Sequence, residues 1–73
     1  MSEPAAILVA DLCALVGRLT GREARAGSRA SELALESMDV VEIVLWLESR
    51  GIRPNASVLS RDFMLADLLE ERD

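Results

Sequence analysis

Ser37 is the residue in this chain best placed for chemistry, because carboxylates lie near its hydroxyl and a helix starts there. Glu36 precedes it and Asp39 follows closely, and the pattern predicts a helix from about Ser37 to Arg50 that stops at Gly51. The chain contains no histidine and no lysine, so it offers no such base to activate the serine. The hydroxyl is then either a helix N-cap or the attachment point of an anion, which the positive end of a helix favours.

The helix that follows is apolar nearly all round, although a surface helix needs only one apolar face to reach a core. Helical spacing separates a core-facing set from a second set, here called the outer stripe. The core-facing set is Val40, Ile43, Val44 and Leu47, and the outer stripe is Met38, Val41 and Leu45. The outer stripe is either ordinary core packing or a docking surface bordered by acids. In the docking interpretation the partner-binding residues are Glu36, Met38, Asp39, Val41, Glu42, Leu45 and Glu48.

These residues carry a resemblance to a known family. The run Leu-Ala-Leu-Glu-Ser-Met at 33–38 resembles the Leu-Gly-x-Asp-Ser-Leu motif of the acyl and peptidyl carrier proteins. The residues that follow, at 39–44, resemble the family's x-x-Val-Glu-Leu-Val, and Leu47 with Glu48 matches a further Leu-Glu. The resemblance implies that Ser37 carries 4′-phosphopantetheine as a phosphodiester, attached by a phosphopantetheinyl transferase. It also implies partner enzymes that load and process acyl or aminoacyl groups.

Three positions depart from the family pattern. Glu36 stands where the family usually has the aspartate thought to help hold the transferase's magnesium ion. Ala34 replaces a glycine at a point where a positive φ would suit glycine. Ser49 and Arg50 precede Gly51 and Ile52 where the family commonly has Phe-Gly-Ile, and Trp46 is expected to supply the missing bulk.

Composition predicts an all-α domain with an aliphatic core. The 73 residues (1–73) form a single domain, 51% hydrophobic but only 3% aromatic, and rich in alanine and leucine. The net charge of −5, with no basic stripe, argues against nucleic-acid binding and favours partners with basic patches. Cys13 is the only cysteine, which excludes an internal disulfide and cysteine-based zinc sites. We expect a cytoplasmic monomer that is not an enzyme, holds no metal and has no membrane span.

The remaining segments predict a four-helix bundle of carrier-protein type with a short third helix. A first helix is expected from about Pro4 to Leu19, with a glycine cap near Gly21 and a polar loop to Ser31. Leu33 and Leu35 are expected to fix the end of that loop to the core. Ser57 is predicted to cap a short turn through Val58 and Leu59. Asp62 is predicted to cap a last helix from Phe63 to about Glu71, with Phe63, Leu65, Leu68 and Leu69 as its apolar set.

Three functions fit these patterns. The first is a discrete carrier of acyl, aminoacyl or peptidyl thioesters in fatty-acid, polyketide or nonribosomal-peptide synthesis. The second is a carrier-like helical module that is never modified and acts only through protein-protein contacts. The third is a small helical domain that associates with its own copy through the outer stripe. Mass spectrometry after treatment with a transferase separates the first from the other two.

Overall fold

The computed structural model describes residues 5–70, which are mainly helical, as the sequence predicts. Residues 5–70 contain four helices, which are α1 (Ala5–Thr20), α2 (Ser37–Ser49), α3 (Ala56–Leu59) and α4 (Asp67–Glu70). Two of them, α3 and α4, are single turns. Within the described residues there is no strand, only an isolated antiparallel bridge between Arg29 and Met64.

Both long helices end near glycines, as predicted. Gly21 follows α1 with φ of 71°, and its N–H donates to the Gly17 carbonyl. Gly51 follows α2 with φ of 76°, and its N–H donates to the Glu48 carbonyl at 3.0 Å. Such left-handed positions suit glycine, which has no Cβ to clash. The expected role of Pro4 in the first turn of α1 lies outside the described residues.

The core lies between α1, α2 and the segments that follow them. Its buried members are Leu8, Leu12, Val16, Leu33, Ile43, Leu47, Ile52, Val58, Phe63, Leu65 and Leu68. Half-buried side chains, among them Leu15, Leu35 and Trp46, pack around this cluster. The predicted inward position of Leu33 is therefore confirmed, and Ile52 and Phe63 are buried as well. The core is almost wholly aliphatic, as the composition indicated.

The short third helix is present, but its predicted cap is wrong. Asn55 is the N-cap of α3, and its side-chain oxygen accepts hydrogen bonds from the Ser57 N–H and hydroxyl. Ser57 lies inside the turn as a donor. Asparagine is among the best N-caps because its short side chain reaches the free N–H groups of the first turn.

The predicted last helix from Phe63 to Glu71 is wrong at its start. The helix begins at Asp67, and Glu71 lies outside the described residues. Residues 62–66 are instead held against residues 26–31 by backbone hydrogen bonds, including Ala30 N–H to Phe63 O at 2.9 Å and Leu65 N–H to Ser28 O at 3.0 Å. We call these paired segments the strap. Their hydrogen bonds to a distant segment replace those that a helix would make locally.

Asp62 is also not the N-cap that the sequence predicts. Its two carboxylate oxygens accept hydrogen bonds from the Ser31 N–H and the Ser31 hydroxyl, each at 2.8 Å. The Arg29 guanidinium donates to the Asp62 carbonyl at 3.1 Å. Asp62 therefore closes one end of the strap instead of starting a helix.

Candidate functional site

Ser37 is the first residue of α2 and is exposed. Glu36 is the N-cap, with extended backbone, and its N–H donates to Asp39 Oδ2 at 3.1 Å. The Asp39 carboxylate therefore stabilises the start of the helix. Ser37, one residue past the cap, is not the N-cap. The Ser37 hydroxyl makes no hydrogen bond within residues 5–70. It is open to a modifying enzyme and can be changed without loss of a contact.

A tight turn before α2 sets the position of Ser37. Ala34 has φ of 52°, in the left-handed region that non-glycine residues rarely occupy. The Ala34 N–H donates to the Ser31 carbonyl, and the Leu35 N–H donates to the Ala30 carbonyl, both at 3.2 Å. Leu33 is buried in the core on the other side of the turn. The chain thus enters α2 from an anchored turn, at the position where the resemblance places glycine.

The strap holds the start of this turn. The hydrogen bonds from Ser31, the backbone bond first, lower the pKa of the Asp62 carboxyl below its ordinary value. Both bonds favour the ionised carboxylate, and Arg29 adds a weaker attraction. No local sequence pattern predicts this contact, because Ser31 and Asp62 are far apart in the chain and neither belongs to a recognisable motif.

The outer stripe is exposed. Met38 keeps 79% of its surface accessible, and Val41 and Leu45 keep 56% each. On the same helix Ile43 keeps 1% and Leu47 none. This exposure excludes ordinary core packing, one of the two interpretations of the stripe, for these three side chains. Its role in partner binding stays a prediction, since a large exposed apolar set can also serve self-association.

Acidic side chains border the outer stripe. Glu36, Glu42 and Glu48 are exposed, whereas Asp39 is half-buried. The cation closest in sequence, Arg50, lies over the Trp46 ring at 4.3 Å from its centroid. Exposed apolar side chains with exposed carboxylates beside them can bind a surface that has apolar residues within a basic patch.

A depression of about 440 Å³ lies at the far end of α2. Glu48, Gly51, Ile52 and Arg53 line it. Neither the Glu48 carboxylate nor the Arg53 guanidinium makes a hydrogen bond or ion pair within residues 5–70. No sequence pattern predicts a role for Arg53, although its place just after the glycine cap puts it at the end of the helix.

Other chemical groups in the described part of the chain are not arranged as a site. Cys13 is half-buried against the core, and burial raises the pKa of its thiol, which lowers its reactivity. Residues 5–70 contain no group of three or more His, Cys, Asp or Glu side chains that could hold a metal ion. Over the same residues, no helix has the length and apolar character needed to cross a membrane.

Comparison with known proteins gives no relative. The chain matches no protein-family model, no curated protein and no solved structure.

Proposed function

We propose that this protein is a discrete carrier of acyl, aminoacyl or peptidyl groups, with 4′-phosphopantetheine attached to Ser37. The observation that carries the proposal is the free, exposed hydroxyl of Ser37 at the start of a helix that presents an apolar stripe bordered by acids. We also propose that the four helices form a bundle of carrier-protein type. The left-handed conformation of Ala34 supports this assignment, because it occurs where the resemblance places glycine.

The residues around Ser37 fit a phosphodiester-linked arm. The first turn of a helix leaves backbone N–H groups without helical partners, and their partial positive charge favours a phosphate. Glu36 and Asp39 oppose that charge, so an anion is stabilised best when it points away from them into solvent. Glu36 is exposed and can act with the magnesium ion of a transferase, as the resemblance implies. When bound, the group supplies a thiol that holds cargo as a thioester.

The chain's own residues position and present the arm. The anchored turn at Ala34 and the capping contact between Glu36 and Asp39 hold the backbone at Ser37. The outer stripe supplies apolar contact to each partner enzyme, and Glu42 and Glu48 attract its basic side chains. In this proposal the protein is not an enzyme, and catalysis belongs to the partners in fatty-acid, polyketide or nonribosomal-peptide synthesis.

Intact-mass measurement tests this proposal. Incubation with coenzyme A, magnesium and a broad-specificity transferase should increase the mass by one phosphopantetheinyl group. Ser37→Ala should abolish the increase with an unchanged helical circular dichroism spectrum, because the Ser37 hydroxyl makes no hydrogen bond in residues 5–70. Ser49→Ala, at the other end of α2, is the control and should still be modified.

Two results contradict the proposal. A mass increase that persists in Ser37→Ala shows that another residue is modified. An unmodified wild-type protein, with a transferase that is active on a control carrier, favours the carrier-like interaction module that needs no cofactor.

A further inference from the structure

We propose that Asp62 is a positioning residue for the modification of Ser37, because it holds Ser31 and, through Ser31, the left-handed turn that leads into α2. This inference rests on the proposed function, because it concerns the transfer of the arm to Ser37. The Asp62 carboxylate binds Ser31 and makes no hydrogen bond to Ser37, so its effect passes through the backbone of the turn.

The first link is the contact between Asp62 and Ser31. One carboxylate oxygen of Asp62 accepts from the Ser31 N–H and the other accepts from the Ser31 hydroxyl, each at 2.8 Å. Hydrogen bonds to an ionised carboxylate are stronger than those between neutral groups. The next residue, Phe63, accepts from the Ala30 N–H at 2.9 Å through its carbonyl, and its side chain is buried. Residues 30 and 31 are therefore fastened to a segment that is anchored in the core.

The second link joins these fastened residues to the turn before α2. The carbonyls of residues 29–31 accept hydrogen bonds from the N–H groups of residues 33–35, at 3.1 to 3.2 Å. Only Glu36, the N-cap, separates this turn from Ser37. No free linker lies between the strap and the proposed attachment site, so a shift of residues 29–31 is passed on to Ser37.

The strain at Ala34 explains why the turn needs an anchor outside itself. With φ of 52°, Ala34 has a conformation that is unfavourable for a residue with a Cβ, and such conformations persist only where the surrounding structure holds them. If Ser31 is released, the turn can relax, and the direction in which the chain enters α2 changes. The body of the helix stays in place, because Ile43 and Leu47 remain buried in the core.

The transfer reaction depends on the position of the Ser37 hydroxyl. Its oxygen forms a bond to the phosphorus that bears the pantetheine, the pyrophosphate bond of coenzyme A breaks, and adenosine bisphosphate leaves. The hydroxyl proton passes to a base of the transferase. The attacking and leaving oxygens have to lie roughly in line, so a displaced hydroxyl slows the reaction within the bound complex. Binding through the outer stripe of α2 is affected less.

Transfer kinetics on four proteins test the inference. Asp62→Ala should lower kcat about tenfold and change the KM for this protein by less than about twofold. Ser31→Thr, which retains the N–H and the hydroxyl that bind Asp62, should keep a kcat near that of wild type. The double variant of Asp62→Ala with Ser31→Ala should be no slower than Asp62→Ala, because the same contact is already lost. Ala14→Gly, which lowers stability in α1 away from the turn, is the control and should keep both constants at a temperature where it remains folded.

Amide hydrogen exchange on the unmodified protein tests the structural link directly. In Asp62→Ala, the amides of residues 33–35 should exchange faster than in wild type, because the turn opens more often. The amides of Ile43 and Leu47 should keep their protection, which shows that the variant is folded and that α2 is intact.

The outcomes separate this inference from the proposed function. If the wild-type protein is not modified, the proposed function fails, and the exchange rates at 33–35 still decide whether Asp62 holds the turn. If Asp62→Ala is modified with the kcat of wild type, or if exchange at 33–35 is unchanged, the inference is wrong. An equal loss of kcat in Ala14→Gly also overturns it, because the loss then reflects general stability.

A rise in KM without a fall in kcat contradicts the inference as well, since it places Asp62 in partner binding. Leu45→Ala provides the comparison, because it alters the outer stripe and leaves the turn unchanged. The two variants should therefore affect different kinetic constants.

Discussion

Ala34 occupies a backbone conformation that suits glycine, and this makes it a source of strain beside the proposed attachment site. A left-handed conformation costs an ordinary residue about 1 to 2 kcal/mol, whereas glycine loses about 0.5 to 1 kcal/mol through its greater freedom in the unfolded chain. We predict that Ala34→Gly raises the free energy of unfolding by about 0.5 to 1 kcal/mol. Urea denaturation followed by circular dichroism measures the change.

A second alanine-to-glycine substitution provides the control. Ala14 is exposed in α1, where glycine should lower stability by about 1 kcal/mol. Ala34→Gly is therefore expected to raise the free energy of unfolding and Ala14→Gly to lower it. If Ala34→Gly destabilises the protein as much as Ala14→Gly does, the turn before α2 is not left-handed.

The carboxyl of Asp62 makes stability depend on pH at the strap. Hydrogen bonds from Ser31 lower the pKa of Asp62 in the folded protein, so folding favours the ionised form above the unfolded pKa. This contribution is lost as the pH falls through the lowered folded value, below about 4. We predict that Asp62→Asn reduces stability at neutral pH and that its difference from wild type shrinks in acid.

Denaturation midpoints measured at neutral pH and at several acidic pH values check this prediction. Asp11→Asn, which removes an exposed carboxylate of α1, is the control. Its difference in stability from wild type should not shrink in acid as that of Asp62→Asn does. A difference between Asp62→Asn and wild type that stays constant from neutral to strongly acidic pH contradicts the role of the Ser31 hydrogen bonds.

At the scale of elements, α2 has a buried side and a side that carries the proposed docking surface, and substitution of one leucine on each side separates their contributions. Leu47 is fully buried, and Leu47→Ala should cost about 2 to 5 kcal/mol through lost contacts and a cavity. Leu45 is more than half exposed, so Leu45→Ala should cost about 1 kcal/mol or less. Under the proposed function, Leu45→Ala should nevertheless raise the apparent KM of the transferase, because Leu45 belongs to the proposed docking surface.

Unfolding midpoints and transferase kinetics on both variants test this division. Leu47→Ala should keep a near-normal KM at a temperature where it remains folded. If Leu45→Ala costs several kcal/mol and leaves the kinetics unchanged, the outer stripe contributes to the core and partners bind elsewhere.

Local signals explain which elements the sequence could predict. Helix α2 is a long apolar run with an acid in its first turn and a glycine just after its end, and its bounds are predicted to within one residue. The last helix was predicted too long, because the spacing of Phe63, Leu65 and Leu68 is also compatible with an extended segment followed by one turn. Backbone hydrogen bonds to residues 26–31 stabilise the extended segment in place of the longer helix. They join residues that are distant in the chain and that no local sequence pattern connects.

The sequence likewise predicts only part of the candidate site. Ser37 and the outer stripe follow from spacing and from the family resemblance. The Asp39 contact that frees the serine from a capping role, and the left-handed turn at Ala34, are three-dimensional features. The depression at Arg53 depends on how the chain leaves α2, which the sequence indicated only through Gly51.

At the scale of the whole molecule, charge is distributed unevenly along the chain. Residues 18–29 contain four arginines and one glutamate, whereas residues 32–48 contain five acids and no basic residue. The proposed partner, with its basic patch, should therefore be attracted to α2 and repelled by the preceding loop. Under the proposed function this charge distribution orients the protein during the encounter, with an effect that weakens as salt screens the charges.

Two charge-reversal substitutions distinguish the effect of the acids beside the outer stripe from the effect of net charge. Glu42→Arg and Asp11→Arg change the net charge equally, but Glu42 borders the outer stripe and Asp11 is exposed on α1. We predict that Glu42→Arg slows modification at low salt and flattens the dependence of kcat/KM on ionic strength, while Asp11→Arg behaves nearly as wild type. Neither variant should lower the free energy of unfolding by more than about 0.5 kcal/mol, the usual range for a surface substitution. Equal effects of the two variants would mean that the transferase responds to net charge alone, and that the acids beside the outer stripe do not direct docking.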